Sequence, residues 1–185
     1  MMKLNVISKR VSISDEGNVF SLVILPTEKN WKLWLLFLWL FAWTICGVLV
    51  ASNYFAMPDQ KGKIIVIVYL SFWAYFEWMI GKTFLFRKFG KEKLWMKNQT
   101  LYYQKEVMGK GKINTYEISL VNQLNKVEQD KSSFITLLNN AFWMLGGETI
   151  SFNYAAKEIR FGIQLSEEET KKIIFEIKQQ LKKSN

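Results

Sequence analysis

The chain has 185 residues, with 25 Lys or Arg against 16 Asp or Glu, for a net charge of +9. It has no histidine and a single cysteine, Cys46. Ser-His-Asp triads, Cys-His dyads, HExxH zinc sites, His-ligated haem and an intramolecular disulfide are therefore all excluded. No DxDxDG-like loop is present, so no metal, cofactor or catalytic set is expected and the default reading is a non-enzyme. The mean hydropathy of +0.01 averages a strongly apolar quarter with a charged remainder.

Residues 1–28 read as an N-terminal β-hairpin, polar and mixed and unlike a signal peptide. Val6, Ile7, Val11 and Ile13 mark one strand, Asp15-Glu16-Gly17-Asn18 a turn, and Val19 to Leu25 a second strand. Pro26 stops the second strand, and Thr27 or Asn30 caps the helix that follows. A two-stranded hairpin is marginal in water alone. It is expected to join a sheet built by the later part of the chain.

Residues 33 to 52 (LWLLFLWLFAWTICGVLVAS) carry no charge, and about 20 such residues cross a bilayer core as one helix. Ile64 to Phe86 is a second apolar run, interrupted only by Glu77 and Lys82. Together they predict a transmembrane hairpin at 31–86, with spans of about 31–53 and 63–86. Its flanks are basic: Lys3, Lys9, Arg10, Lys29 and Lys32 before it, and Lys82, Arg87, Lys88, Lys91, Lys93 and Lys97 after it. The loop between the spans has only Lys61 and Lys63, beside Asp59. The positive-inside rule places both termini in the cytoplasm of an integral cell membrane protein, with the Pro58–Gly62 loop outside.

Residues 90–185 read as a β-rich domain closed by a helix. Lys93–Lys97 and Thr100–Val107 flank a tight Asn98-Gln99 turn. Ile113–Ile118 and Leu120–Val127 follow a break at Gly109 and Gly111. Phe134 to Leu145 has helix-compatible spacing, and Gly146-Gly147 breaks the chain. Thr149–Tyr154 and Glu158–Phe161 form a hairpin. Last comes a helix over 166–183, where Ser166 and Glu169 make a capping box and Ile173, Ile174, Ile177 and Leu181 form its apolar stripe. Only Phe175 among its large apolar residues lies off that stripe. Glu167 to Glu169 and the terminal lysines complement the helix dipole.

About seven strands, two of them N-terminal, followed by an amphipathic helix is the element order of a pleckstrin-homology-like fold. Local strings add to this: Phe89-Gly90-Lys91-Glu92 after a span, Asn98, Leu101 and Tyr103 in the first hairpin, Tyr-x-Ile-x-Leu-Val at 116 to 121, and Ile150 to Tyr154 through Ile159 to Gly162. Leu25-Pro26 with Lys29-Asn30-Trp31 before the first span fits as well. Glu106 departs from the pattern, standing where a Lys is usual. The chain resembles small bacterial two-span inner-membrane proteins carrying a PH-like domain. The resemblance implies an α+β membrane protein with a cytoplasmic β-sandwich or barrel, transfers no catalytic residue, and offers lipid or peptide binding only by analogy of fold.

The expected function is accordingly a membrane-anchored, non-enzymatic binding or scaffolding module. The alternative is an accessory subunit of a membrane transporter or membrane enzyme using Glu77, since an acid inside a span is a functional-site hypothesis by default. Against that, Glu77 pairs with Lys82 or a polar group of the first span and only orients the helix. Lys82, Arg87, Lys88, Lys91 and Lys93 are candidate contacts to anionic lipid, or simply determinants of topology. Gly47 with Ala51, and Ser71 with Ala74, allow close helix approach. Tyr102, Tyr103 and Trp143 line a groove or belong to the core. Membrane lipids and a protein of unspecified identity are the expected partners; no nucleic-acid module is present.

Overall fold

The computed structural model describes residues 3–17, 19–26, 30–127 and 146–184. The expected helix Phe134–Leu145, Trp143, the turn residue Asn18, the capping residue Thr27 and the flanking Lys29 lie outside the described residues. The chain divides into two units, one of residues 1–27 with 89–185 and one of residues 28–88.

The first unit is built on β1 (Lys3–Ser8), β2 (Val11–Asp15), β3 (Val19–Ile24), β4 (Gly90–Lys97), β5 (Thr100–Val107) and β6 (Ile113–Glu117), an antiparallel meander in chain order. A 3-10 turn, Ile118–Leu120, leads to a second sheet of β7 (Val121–Lys126), β8 (Glu148–Tyr154) and β9 (Lys157–Ile163). The C-terminal helix, here α3 (Glu167–Ser184), packs against this second sheet. The N-terminal segment contributes three strands where two are expected, because the chain reverses between Ser8 and Val11. A Lys9-Arg10 turn carries none of the Gly, Pro or Asn signals that mark reversals in sequence. The described strands therefore number nine, against about seven expected. The strand expected to reach Ile118 stops at Glu117 for the same kind of local reason: Ile118 is pulled into the 3-10 turn, its N–H bonded to the Gln99 carbonyl.

The central pairing is β3 with β4, running from Val19↔Lys97 to Ile24↔Glu92. The chain leaves β3 and re-enters β4 at one end of this antiparallel pair, with residues 28–88 inserted between. Strand alternation then fixes the core. Val11, Ile13, Phe20, Leu22, Ile24, Leu94, Met96 and Leu101 turn inward from the large sheet. They meet Ile150, Phe152 and Phe161 of the small sheet and Ile173 and Ile177 of α3. Asn98 and Gln99 both adopt positive φ, 49° and 58°, between paired Lys97 and Thr100. That is the backbone a two-residue hairpin of this twist requires.

The second unit is a helical hairpin of α1 (Asn30–Tyr54) and α2 (Gln60–Phe89). Both helices are long and apolar enough to cross a membrane, and only 11% of the most apolar window of each is buried. A core helix of a soluble protein would bury most of that surface; these expose it. Within the hairpin the indole N–H of Trp73 donates to the Trp43 carbonyl at 3.0 Å. A Cβ at Gly47 would stand 2.1 Å from a carbon of the Trp73 ring. Gly47 is thus a seat for Trp73 within the hairpin.

Candidate functional site

Two features of the sheet unit could carry function: a buried polar clamp between the sheets, and a cleft along α3. The clamp centres on Glu92 of β4, a carboxylate only 2% exposed. Its Oε1 accepts from the Tyr103 hydroxyl at 2.7 Å, and its Oε2 accepts the N–H groups of Gly162 and Ile163 at 2.8 and 3.1 Å. Lys105 Nζ lies 3.8 Å from Oε1 and donates to Glu148 at 2.9 Å. Burial, and then the Glu92 charge, push the Tyr103 hydroxyl well above the usual tyrosine range. Gly162 is left-handed at φ 78° and lies so close to Leu165 that a Cβ would meet its Cδ1 at 2.6 Å. One carboxylate thus fastens β4 of the large sheet to β9 of the small one. Both of its oxygens accept from groups of the fold itself, which is the arrangement of a fastener.

A second polar joint sets the start of α3. Ser166 and Glu169 form the capping box, Glu169 N–H to Ser166 Oγ at 3.2 Å and Ser166 N–H to Glu169 Oε2 at 2.9 Å. Arg10, in the turn that sequence reasoning missed, donates to the same carboxylate at 2.9 Å and to the Gln164 carbonyl at 2.7 Å. Ser8 Oγ adds a bond of 2.7 Å. Burial raises the Glu169 carboxyl, but Arg10, the Ser166 N–H and Ser8 outweigh it and hold it down at about 2.

With the N-terminus of α3 fixed there, and Ile173 and Ile177 in the core, the rest of the helix has a determined orientation. Phe175, Lys178, Gln179 and Lys182, at i, i+3, i+4 and i+7, share one stripe. This stripe lines a cleft of about 410 Å³ with Val121, Asn122, Gln123 and Leu124 of β7 and with Leu181. Strand β7 is irregular here: its register to β8 shifts between Asn122 and Asn125, and Gln123 has φ 53°. The irregularity buries Leu124 while Gln123 takes a bond from Asn153 Nδ2 at 2.8 Å. Phe175 is 60% exposed. Among the described residues no carboxylate lies within 4.0 Å of Lys178 or Lys182. The cleft has an apolar floor, two cations along one wall and neutral amides along the other. Its signal in sequence is Phe175, the one large apolar side chain off the core stripe.

The expected lipid-contacting residues separate into distinct environments. Lys91 and Lys93 both hold Glu106, Lys91 at 3.0 Å, and that carboxylate is only 7% exposed. Their hydrogen bonds, Lys93 first, hold the Glu106 carboxyl below its usual range. In the hairpin unit Lys82 is exposed and Arg87 buried. Lys88 Nζ stands 5.7 Å over the Phe84 ring, beside a smaller aromatic cleft of Leu33, Trp34, Phe37 and Phe84. Glu77 meets Thr44 of the first helix at 2.5 Å, and its buried Oε2 has no hydrogen-bond partner among the described residues. Of the aromatic groove candidates, Tyr103 is in the core and Tyr102 stacks on Trp95 at 5.2 Å. No cluster of three or more metal-ligating side chains occurs among the described residues. No protein-family model matches the chain, and no curated protein or solved structure matches it.

Proposed function

We propose that this protein is a membrane-anchored, non-enzymatic binding module. A PH-like cytoplasmic domain is tethered by a two-span hairpin, with both termini inside the cell. The observation that carries this reading is the cleft between β7 and α3, an apolar floor with an exposed Phe175 and two lysines that no described carboxylate holds, on a helix otherwise committed to the core. Exposing a phenylalanine on a charged helix costs burial energy that a ligand would recover. Further support comes from the two apolar helices, inserted between neighbouring strands so that the sheet unit stays at the membrane. The exposed Lys82 and Lys88 at the end of the second helix suit the inner leaflet, whose anionic lipids attract them, while Arg87 is buried and contributes less. Lys91 and Lys93 have Glu106 as a partner and contribute less to that attraction. Glu77, bonded to Thr44, serves as an interhelical fastener.

Topology and binding are tested separately. In a Cys46→Ala background, single cysteines placed from Ser52 to Gln60 should react with an impermeant maleimide on intact cells, while one at Ser184 should be protected. The reverse pattern would overturn the membrane arrangement. For the binding reading, Phe175→Ser should leave thermal unfolding unchanged and fail to rescue a cellular phenotype of the gene deletion. A variant that complements fully would remove the cleft from the function.

A further inference from the structure

We infer that the cleft between β7 and α3 receives an acidic, apolar peptide segment of a partner protein. This deepens the binding-module reading and rests on it. Three properties of the walls narrow the ligand. The floor of Val121, Leu124 and Leu181, with Phe175 at its lip, accepts an apolar side chain. The α3 wall presents Lys178 and Lys182 one turn apart, with no acid in the stripe they share with Phe175 and Gln179. Two ammonium groups at that spacing suit two carboxylates on a neighbouring chain, and each is open to pairing because no described carboxylate already holds it. The β7 wall offers the amides of Asn122 and Gln123, groups that hydrogen-bond to a peptide backbone as donor and acceptor.

A regular added strand is disfavoured. β7 ends the strand order of its sheet, yet the register shift and the left-handed Gln123 break the repeat that strand addition needs. Recognition therefore runs through side chains, an apolar anchor between acidic neighbours. An anionic lipid fits less well. Two lysines beside a shallow floor offer little cover for an acyl chain, whereas small-molecule sites bury most of their ligand.

The full chain in nanodiscs of neutral lipid would be panned against a random peptide library displayed on phage, then titrated with synthetic peptides from the selection. Peptides carrying an apolar residue flanked by Asp or Glu should be enriched. Their affinity should fall roughly tenfold or more with Lys178→Glu/Lys182→Glu, weaken with added salt in the parent but not in that variant, and vanish with Phe175→Ser. All three substituted residues are exposed, so unchanged thermal unfolding confirms that the variants remain folded. Enrichment of neutral or basic peptides that still need Phe175 would overturn the acidic ligand and leave the binding module standing. Binding instead to phosphatidylglycerol liposomes, lost on lysine reversal, would overturn the peptide in favour of lipid. Peptides that bind all variants equally, or no binding to either probe, would overturn both the inference and the binding role of this cleft.

Discussion

Removing the Glu92 carboxylate should unlock the two sheets from each other. In Glu92→Ala two backbone N–H groups, of Gly162 and Ile163, and the Tyr103 hydroxyl all lose their acceptor inside the core. A buried donor left unpaired costs about 1–3 kcal/mol, and water entering the vacated volume recovers part of the sum, so the expected loss is about 3–6 kcal/mol. That is a large share of the ~5–15 kcal/mol that holds a typical domain. Tyr103→Phe removes one bond to a charged acceptor and should cost about 1.5–3 kcal/mol. Glu92→Gln falls between them: its amide oxygen can still take the N–H pair, but its amino group forces the Tyr103 hydroxyl to accept and leaves that hydrogen unplaced. Urea unfolding of the full chain in mild detergent, followed by near-ultraviolet circular dichroism, gives the ranking. Amide exchange at Gly162 and Ile163 should accelerate in the alanine variant. An alanine variant within about 0.5 kcal/mol of the parent, the range of ordinary surface changes, would refute the claim that this carboxylate joins the sheets.

Glu169 makes stability depend on acid. Its folded value of about 2 lies below the ordinary 4.5, so the stabilisation is fully present above 4.5 and is lost as pH falls from there through about 2. The shift corresponds to about 2 kcal/mol once partial solvation is allowed for; Glu169→Gln should flatten this part of a pH titration of unfolding, and an unchanged curve would deny the Arg10–Glu169 joint. Gly47→Ala should drive the Trp73 ring from its seat at a cost of about 1–3 kcal/mol to the hairpin, seen as a shifted Trp73 indole N–H resonance; an unmoved resonance would place the ring elsewhere. Ile177, 2% exposed, should cost about 2–4 kcal/mol when cut to alanine, measured in the same urea unfolding, with membrane insertion intact.

What the sequence makes legible here follows from what periodicity can report. One charge-free run and one broken only by Glu77 and Lys82, both of membrane-spanning length, identify α1 and α2 because nothing else in the chain competes with them. The Ile173, Ile177 and Leu181 stripe and the Ser166 cap likewise locate α3 to within a residue at each end. The β1–β2 reversal escapes, since Lys9 and Arg10 are chosen there for what Arg10 reaches, Glu169 some 159 positions later, and not for turn propensity. The cleft is half legible. Phe175 stands out by helical position, while its facing wall depends on a register shift in β7 that only the paired β8 reveals.

Lys91-Glu92-Lys93 shows where the limit lies. On its face the triplet is a solvated, basic strand entry after a membrane helix, and all three residues invite the same interpretation. Strand alternation assigns them to opposite faces, but alternation states a side and not a depth. Lys91 and Lys93 turn out and close over Glu106, while Glu92 turns in with the apolar Leu94 and Met96. An acid on the core side is tolerable only where donors converge on it. Those donors are Tyr103, a residue of the neighbouring strand, and the backbone of Gly162 and Ile163, some 70 positions away, where a glycine is needed for the close approach of Leu165. No local pattern encodes that convergence. It exists only once the second sheet has folded onto the first, and so the residue that joins the sheets looks, in sequence, like part of a surface charge run.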